Sequence, residues 1–282
     1  MRPHAAFVAA VLGVACSPGS GGPAAPKPSI DPVRLPAAST VFRLGLEPLA
    51  RFALVRSDSM TVVMPSGGEQ GQVFSRTLFL TMTARPEHGG QAIGLVIDSV
   101  QTDEIGLLPM ASVDSLRGVR WSGMFSPDGR LGPLTADRPT LLGTQLGGQL
   151  RQLIPFLPAA GVREGDRWSD STSDTVQVNA FGGRDSGTVH YTAGAQGVPP
   201  GPATLLVTAE RRATVTGSAA QGGQTLTLAG TDSATIVYTL LAPGKLVAVE
   251  GHELSLLNIT VPAMGQTLPA TQRAWFSLSR LP

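Results

Sequence analysis

Side chains that could carry out chemistry are few in this 282-residue chain and lie far apart. The histidines are His4, His88, His190 and His252, and none lies at the HExxH or HxH spacing that places two imidazoles on one face. Because Cys16 is the only cysteine, the chain can form neither an intramolecular disulfide nor a thiolate zinc site. We therefore expect no bound metal and no other cofactor.

One acidic segment, DRWSDSTSD, repeats an aspartate every four residues, at Asp166, Asp170 and Asp174. Calcium loops bring oxygen ligands together in a tight turn with glycine near its centre, and this segment has no such glycine. A polar strand edge is therefore the favoured interpretation, and a weak cation site is the alternative.

A second segment, VEGHEL, contains Glu250, His252 and Glu253, which could form an acid/base or metal cluster. Glu250 and His252 are two residues apart, so on a strand they share one face as ordinary cross-strand neighbours do. The motif GGRDSG around Ser186 resembles a hairpin loop, and the chain has no GxSxG pentapeptide. No P-loop or strand-following GxGxxG occurs either, so we expect a protein that is not an enzyme.

The composition argues against nucleic acid as a partner. Lysine and arginine number 21 and aspartate and glutamate 20, so the formal net charge of +1 creates no attractive long-range field. Aromatic residues are only 5% of the chain, too few for a base-stacking platform. Trp121, Trp168 and Trp275 lie beside apolar neighbours, and we expect them in the core or at a barrel mouth.

The N-terminus follows the order of a secretory signal peptide. Arg2 supplies a positive charge, residues 5–15 are small or apolar, and Cys16 follows directly. The apolar run is shorter than the ~20 residues that a membrane-spanning helix needs. We expect a signal peptide over residues 1–15.

The residues before Cys16 resemble a bacterial lipoprotein signal, in which a lipobox ends in a cysteine that receives a diacylglyceryl group and becomes the acylated first residue after cleavage. Ala15 fits that pattern, whereas Gly13 stands where leucine is usual and Leu12 lies one place early. The resemblance implies lipidation of Cys16, and Ser17 after it implies sorting to the outer membrane, facing the periplasm.

Residues 16–45 are rich in proline, glycine and alanine, which predicts a tether between the anchor and a folded domain. Ordinary signal peptidase cleavage, which also accepts Gly13 and Ala15, is the alternative. It would give a soluble periplasmic or secreted protein.

The residues from 46 to 282 form the expected β-rich domain, with strand-rich halves at about 47–135 and 160–282. Residues 72–85 alternate apolar and polar side chains, and a turn at 86–90 leads to a second strand at 91–100. Residues 118–125 and 131–134 flank SPDGR as a second hairpin, and APGK at 242–245 joins a third.

One segment between the halves has helical periodicity. Leucine recurs every three or four residues from Leu142 to Leu153, which predicts an amphipathic helix over about 140–154 with Asp137 as its cap. Glycines at 143, 147 and 148 weaken it, and Pro155 ends it. The predicted fold is mainly β, with an antiparallel sheet forming a barrel, half-barrel or sandwich and one helix packed against it.

The segment GVREGDRW, with Val162, Gly165, Asp166 and Trp168, resembles the start of the second half in uncharacterised β-rich envelope lipoproteins. That family has no established activity, so the resemblance implies only a fold and a location.

These observations favour a non-catalytic, membrane-anchored envelope lipoprotein that binds an apolar ligand or an envelope protein. A barrel or half-barrel capped by the helix would resemble carriers that move lipids or lipoproteins across the periplasm. The alternatives are a structural or assembly scaffold at the membrane surface and a hydrolase with an unrecognised site.

Overall fold

The computed structural model describes residues 40–103, 115–138, 140–178, 181–195, 203–221 and 224–282. Cys16, the predicted signal peptide and most of the predicted tether lie outside these residues. The strands are β1 (Leu49–Val63), β2 (Glu69–Glu87), β3 (Gly90–Asp103), β4 (Arg120–Phe125), β5 (Thr135–Ala136), β6 (Arg167–Val178), β7 (Phe181–Ala195), β8 (Thr204–Gln221), β9 (Gln224–Leu241), β10 (Lys245–Val261) and β11 (Gln266–Arg280). Helix α1 (Leu141–Gln152) lies between β5 and β6, and a short 3-10 turn covers Pro262–Met264.

All eleven strands belong to one antiparallel sheet in the order β5-β4-β3-β2-β1-β11-β10-β9-β8-β7-β6. Neighbours are consecutive in sequence except at the centre, where β1 pairs with β11 from Phe52 opposite Arg280 to Val62 opposite Ala270. Both strand-rich halves therefore lie in a single sheet. The prediction of a mainly β, antiparallel fold with one helix is confirmed.

The sheet is strongly curved but not closed. A flat sheet of eleven strands would separate its edges by about 48 Å, since strands lie ~4.8 Å apart. Helix α1 is only about 10 Å wide, yet it contacts both edge strands, β5 and β6. Within the described residues these two edges do not pair with each other. Of the predicted alternatives, a half-barrel or sandwich fits and a closed barrel does not.

Glycines on the inner face allow this curvature. A Cβ added at Gly187 in β7 would lie 2.2 Å from the backbone oxygen of Arg212 in β8, and one at Gly230 would lie 2.2 Å from that of Leu256. Ordinary side chains at these positions would overlap the neighbouring strand, so only glycine lets the strands bend so sharply.

The hairpin predictions hold for two of three turns. Glu87 pairs with Gly90 at the turn between β2 and β3, and residues 242–244 form the turn between β9 and β10. The strand predicted at 131–134 is wrong, because Leu131 forms only an isolated bridge with Phe125. Pro133 has no N–H to extend the pairing, and the next strand, β5, has only two residues.

Helix α1 confirms the helical prediction, with a different cap. The Thr140 hydroxyl oxygen accepts a hydrogen bond from the Gly143 N–H at 3.0 Å. Asp137, the expected cap, instead accepts from the backbone N–H of Arg120 at 3.1 Å. Among the described residues, no helix is long and apolar enough to cross a membrane.

The inner face of α1 packs closely on β4. Leu146 and Leu150 are buried, and the Trp121 indole N–H donates to the Gly143 carbonyl oxygen at 2.9 Å. A Cβ at Gly147 would lie 3.2 Å from Trp121 Cδ1, so this glycine allows the close approach. Trp121 is a core residue as predicted, whereas Trp275 is 40% exposed, which corrects the expectation of a core or barrel-mouth position.

The GVREGDRW segment forms the turn that begins β6. The Asp166 carboxylate accepts from the Arg163 N–H at 2.7 Å, and Gly165 adopts a positive φ of 87°. The Trp168 indole N–H donates to the Phe156 carbonyl oxygen at 2.9 Å, and Val162 is buried. The role of this segment is therefore to position β6 and the chain that follows α1.

Candidate functional site

A cavity of about 390 Å³ lies between the C-terminal half of α1 and the inner face of β6 to β10. Its volume falls in the ~300–1,000 Å³ range of small-molecule sites. Gly148, Gln149 and Gln152 of α1 border it on one side. The opposite wall consists of side chains that point inward from the strands, among them Tyr191, Ala209, Arg211, Asp232, Ile236, Tyr238 and Glu253.

The polarity of the cavity changes along the strands. One inner row is apolar, because Tyr191 lies opposite Ala209, and Ala209 lies opposite Ile236. Ile154 and Phe156 cover this row from the chain that follows α1. Farther along β8 and β9, Arg211 and Asp232 replace the apolar side chains, and Asp232 pairs with Ser255 in the ladder. The cavity is thus apolar at one end and charged at the other.

Two groups of ion pairs lie at the charged end. In the first, the guanidinium of Arg56, which is 4% exposed, donates to both Asp58 oxygens at 3.0 Å and to Glu253 Oε2 at 2.6 Å. Burial opposes the charged form, but Glu253 and Asp58 outweigh it and raise the pKa of Arg56 above its ordinary value. This arginine therefore stays charged, and its Nε and Nη2 groups are bonded to carboxylates.

Arg76 of β2 joins the first group from the other side. Its Nη2 lies 3.7 Å from Asp58 Oδ2 and donates to Gln149 Oε1 of α1 at 2.7 Å. Burial lowers the pKa of Arg76 from its ordinary value, although the Asp58 carboxylate acts against this shift. Arg76 thereby ties α1 to the charged end of the cavity.

In the second group, Arg211 of β8 bonds to Asp185 of β7 and Asp232 of β9. Burial opposes its charged form, but Asp232 and Asp185 together raise the pKa of Arg211. The Ser255 hydroxyl donates to the remaining Asp232 oxygen, Oδ1, at 2.7 Å. Arg211 is buried. Charged side chains are almost never fully buried unless they are paired, so the two aspartates are what allow this burial.

The two groups together are named the inner charge belt, which consists of Arg56, Asp58, Arg76, Asp185, Arg211, Asp232 and Glu253. The belt contains three arginines and four carboxylates, so it carries one surplus negative charge when all seven are ionised. At the rim of the cavity, Arg130 pairs with Asp128 and Asp170, and its guanidinium lies 4.2 Å from the centre of the Phe156 ring. Counted over the residues that line the cavity, four arginines meet four carboxylates, so the lining as a whole is balanced in charge.

Aromatic rings close the apolar end. Trp168 stacks on Tyr191 with ring centres 5.2 Å apart, and Phe156 meets Tyr191 edge-on at 6.3 Å. Burial, assisted by the negative charge of Asp170, raises the pKa of Tyr191 to about 12. Burial also raises the pKa of Tyr238, whose hydroxyl donates to the Gln152 carbonyl oxygen at 2.8 Å. Both phenols therefore remain neutral at ordinary pH.

The structure places most of the candidate site residues predicted from the sequence far from one another. Glu253 points into the cavity, whereas Glu250 and His252 are exposed on the outer face of β10. Asp166 belongs to the turn before β6, and Asp170 lies on the edge strand β6, largely buried beside Arg130. The Asp174 side chain lies outside the described part of the chain.

Ser186 also differs from its prediction, because it lies within β7 and not in a hairpin loop. Its hydroxyl is 3.3 Å from that of Thr214 on β8. The neighbouring glycines suggested a loop, but they lie where β7 and β8 approach closely. His190 is exposed, opposite Glu210. Among the described side chains, no group of three histidine, cysteine or acidic residues could hold a metal ion.

No sequence motif predicted the inner charge belt, although the alternation of side chains in β1 indicates part of it. Arg56 and Asp58 share a parity with Phe52 and Leu54, so the alternation of β1 places two charges on the buried face. Their partner Glu253 is 197 residues from Arg56, and no local pattern connects the two.

Comparison with known proteins leaves the cavity as the basis for assigning a function. The chain matches no protein-family model and no curated protein sequence.

Proposed function

We propose that the protein is a non-catalytic, lipid-anchored envelope protein that binds a small ligand in the cavity beneath α1. The observation that carries this proposal is the 390 Å³ space between α1 and the curved sheet, with one apolar and one charged end. Such a lining suits a molecule that is itself partly apolar and partly polar. We therefore expect the ligand to have a polar end as well as an apolar one.

The arrangement of the charged residues supports binding and not catalysis. In the cavity, Arg56 and Arg211 are each held by two carboxylates. His190 and His252 are exposed on strands β7 and β10. Among the described residues that line the cavity there is no histidine that could act as a general base.

Binding can be tested with N-phenyl-1-naphthylamine, a neutral apolar dye that becomes fluorescent when it leaves water. The unaltered protein should bind the dye in a saturable manner. Gly148 borders the cavity, and a Cβ there would meet no atom within 4 Å. Gly148→Phe should therefore occupy the free space and weaken dye binding at least tenfold.

Gly194→Phe is the matched control, because Gly194 also has nothing within 4 Å of an added Cβ but does not border the cavity. The control should bind the dye as the unaltered protein does. Failure of the unaltered protein to bind, or equal losses in both variants, would count against the proposed site.

Membrane attachment through Cys16 is supported by the small residues before it and by the proline- and glycine-rich segment after it. Intact-mass analysis of the mature protein from membranes should show an acylated chain that begins at Cys16. Cys16→Ala should abolish the lipid mass and release the protein into the soluble fraction. A mature chain without lipid would contradict the anchor.

A scaffold at the membrane surface is the second candidate, and the edge position of β6 favours it. Among the described strands only β7 pairs with this 12-residue strand. A partner could therefore add a strand at the other edge of β6. Crosslinking in intact cells should then join β6 to one defined envelope protein, and the absence of any such product would favour the ligand-binding function.

A further inference from the structure

We infer that the cavity accommodates a single-chain amphiphile with an uncharged, hydroxyl-bearing head, of the monoacylglycerol type, with its chain along the apolar row and its head at the inner charge belt. This inference rests on the proposed binding function and names the chemical class of its ligand.

The apolar end of the cavity fits one hydrocarbon chain. Tyr191, Ala209 and Ile236 form a continuous inner row, and Ile154 and Phe156 cover it. Each methylene group that leaves water for this row adds to the affinity. The volume of about 390 Å³ lies near the lower limit of small-molecule sites, which suits one chain and not two.

The charges of the lining favour an uncharged head. Four arginines and four carboxylates border the cavity: Arg56, Arg130, Arg151, Arg211, Asp170, Asp185, Asp232 and Glu253. Asp58 and Arg76, which belong to the belt but do not border the cavity, add one charge of each sign. A cationic or an anionic head would therefore bring a net charge that no lining group is left to balance. Such a charge is costly in a poorly hydrated site, whereas an uncharged head avoids the cost.

The hydrogen-bonding groups of the belt favour a head that both donates and accepts. Arg56 Nη1 and Arg211 Nε take no part in the bonds to carboxylates, and Arg76 Nε is a buried donor without a partner among the described residues. Glu253 bonds to Arg56 through Oε2, which leaves Oε1 as an acceptor. An ammonium head only donates and a carboxylate head only accepts, whereas a hydroxyl group does both at one atom.

The Thr172 hydroxyl of β6 marks the position of the head. It is buried, borders the cavity and has no hydrogen-bond partner among the described residues, although buried hydroxyls are normally bonded. Thr172 lies in the same inner row as Asp232, with only Gly187 and Ala213 between them. Because glycine and alanine have the smallest side chains, this row leaves room for a head group. A bound hydroxyl group there completes the hydrogen bonding of Thr172.

The head group is tested with four compounds that share an eight-carbon chain: 1-monooctanoylglycerol, methyl octanoate, octanoate and octylamine. Isothermal titration calorimetry at pH 7, below the aggregation concentration of each compound, should show 1-monooctanoylglycerol binding one-to-one. It should bind at least about tenfold more tightly than octanoate and octylamine, because their heads bring a net charge. Methyl octanoate is uncharged but has no donor, so it should bind about threefold or more weakly than 1-monooctanoylglycerol.

Thr172→Val and Thr231→Val provide the matched pair of variants. Thr172→Val should weaken the binding of 1-monooctanoylglycerol about fivefold, because one hydrogen bond to the head is lost. Its free energy of unfolding should not fall, since the hydroxyl has no partner among the described residues that the change would leave unpaired. Thr231 is exposed on β9 and does not border the cavity, so Thr231→Val should leave the affinity unchanged.

The two levels of the proposal fail differently. If the naphthylamine dye binds and Gly148→Phe blocks it, but octanoate, octylamine or methyl octanoate binds as tightly as 1-monooctanoylglycerol, the cavity is a site and the preference for an uncharged, hydroxyl-bearing head is wrong. If Thr172→Val and Thr231→Val have the same affinity for 1-monooctanoylglycerol, the head does not lie at Thr172. If neither the dye nor any eight-carbon compound binds, the binding function fails and the inference fails with it.

Discussion

The indole nitrogen of Trp121 on β4 donates a hydrogen bond to the backbone oxygen of Gly143 in α1 over 2.9 Å. This bond holds the N-terminal half of the helix against one edge of the sheet, while the Gln149 side chain and the Gln152 carbonyl bond to Arg76 and Tyr238. The helix is therefore fixed to strands on both sides of the curved sheet, and its position defines the cavity.

Two adjacent glycines in α1 should respond differently to the same substitution. Gly148→Ala should raise the free energy of unfolding by up to ~1 kcal/mol, because alanine favours the helix and its Cβ meets no neighbour. Gly147→Ala should gain less or lose stability, since its Cβ would lie 3.2 Å from Trp121 Cδ1. Urea unfolding measures both, and equal gains would contradict the close packing of α1 on Trp121.

The curvature of the sheet predicts a similar contrast within β7. Gly187→Ala should lower the free energy of unfolding by about 1–3 kcal/mol, because the new methyl group would overlap the backbone oxygen of Arg212. Gly194→Ala, where an added Cβ meets nothing within 4 Å, is the control and should be neutral or stabilising. Equal stability of the two variants would show that β7 and β8 do not approach so closely.

The ion pairs of the belt should be costly to break. Asp58, which is 2% exposed, lies between Arg56 and Arg76, so Asp58→Asn leaves two buried cations with too few carboxylates. We expect a loss of about 3–5 kcal/mol in thermal or urea unfolding. Asp98→Asn on the exposed face should change stability by no more than about 0.5 kcal/mol. A small effect of Asp58→Asn would mean that water solvates the belt.

The two tyrosines make a pH prediction, since Tyr191 and Tyr238 are the only ones in the chain. Because both folded-state pKa values are raised, phenolate absorbance at 295 nm should be nearly absent at pH 10 in the folded protein but half developed in urea. The unfolded state then binds fewer protons, so stability is complete below pH 10 and falls as pH rises toward 12. Tyr191→Phe should remove the component that titrates near pH 12.

An ordinary titration near pH 10 in the folded protein would contradict the burial of the two rings. The native far-ultraviolet circular dichroism spectrum, recorded at each pH, separates ionisation in the folded state from unfolding.

Several elements could be predicted from local sequence because their causes are local. Alternating side chains predicted β2, β3, β9 and β10, and leucine periodicity predicted α1 within two residues at each end. The cap was mispredicted because Thr140, three residues before the Gly143 N–H, lies closer to the first turn than Asp137 does. Lipidation of Cys16 stays a prediction, since it depends on a processing signal and not on the fold.

The candidate site could not be predicted in the same way. Arg211 and its two partners come from three strands, and Arg56 meets Glu253 across 197 residues. Nothing in either segment specifies the other, because an ion pair depends on the register of strands that are distant in sequence. The glycines at 183 and 187 likewise resembled a loop until the curvature of the sheet explained them.

The sequence by itself determined most of the strands, two of the three tight turns and the single helix, since periodicity and turn chemistry act over a few residues, and it predicts an export signal that ends at Cys16. Only the tertiary structure decided that both halves form one open sheet, that α1 bridges its edges and that seven charged side chains meet beneath it. Those features depend on the pairing of β1 with β11 and on the curvature that inner-face glycines allow, which are properties of the whole sheet.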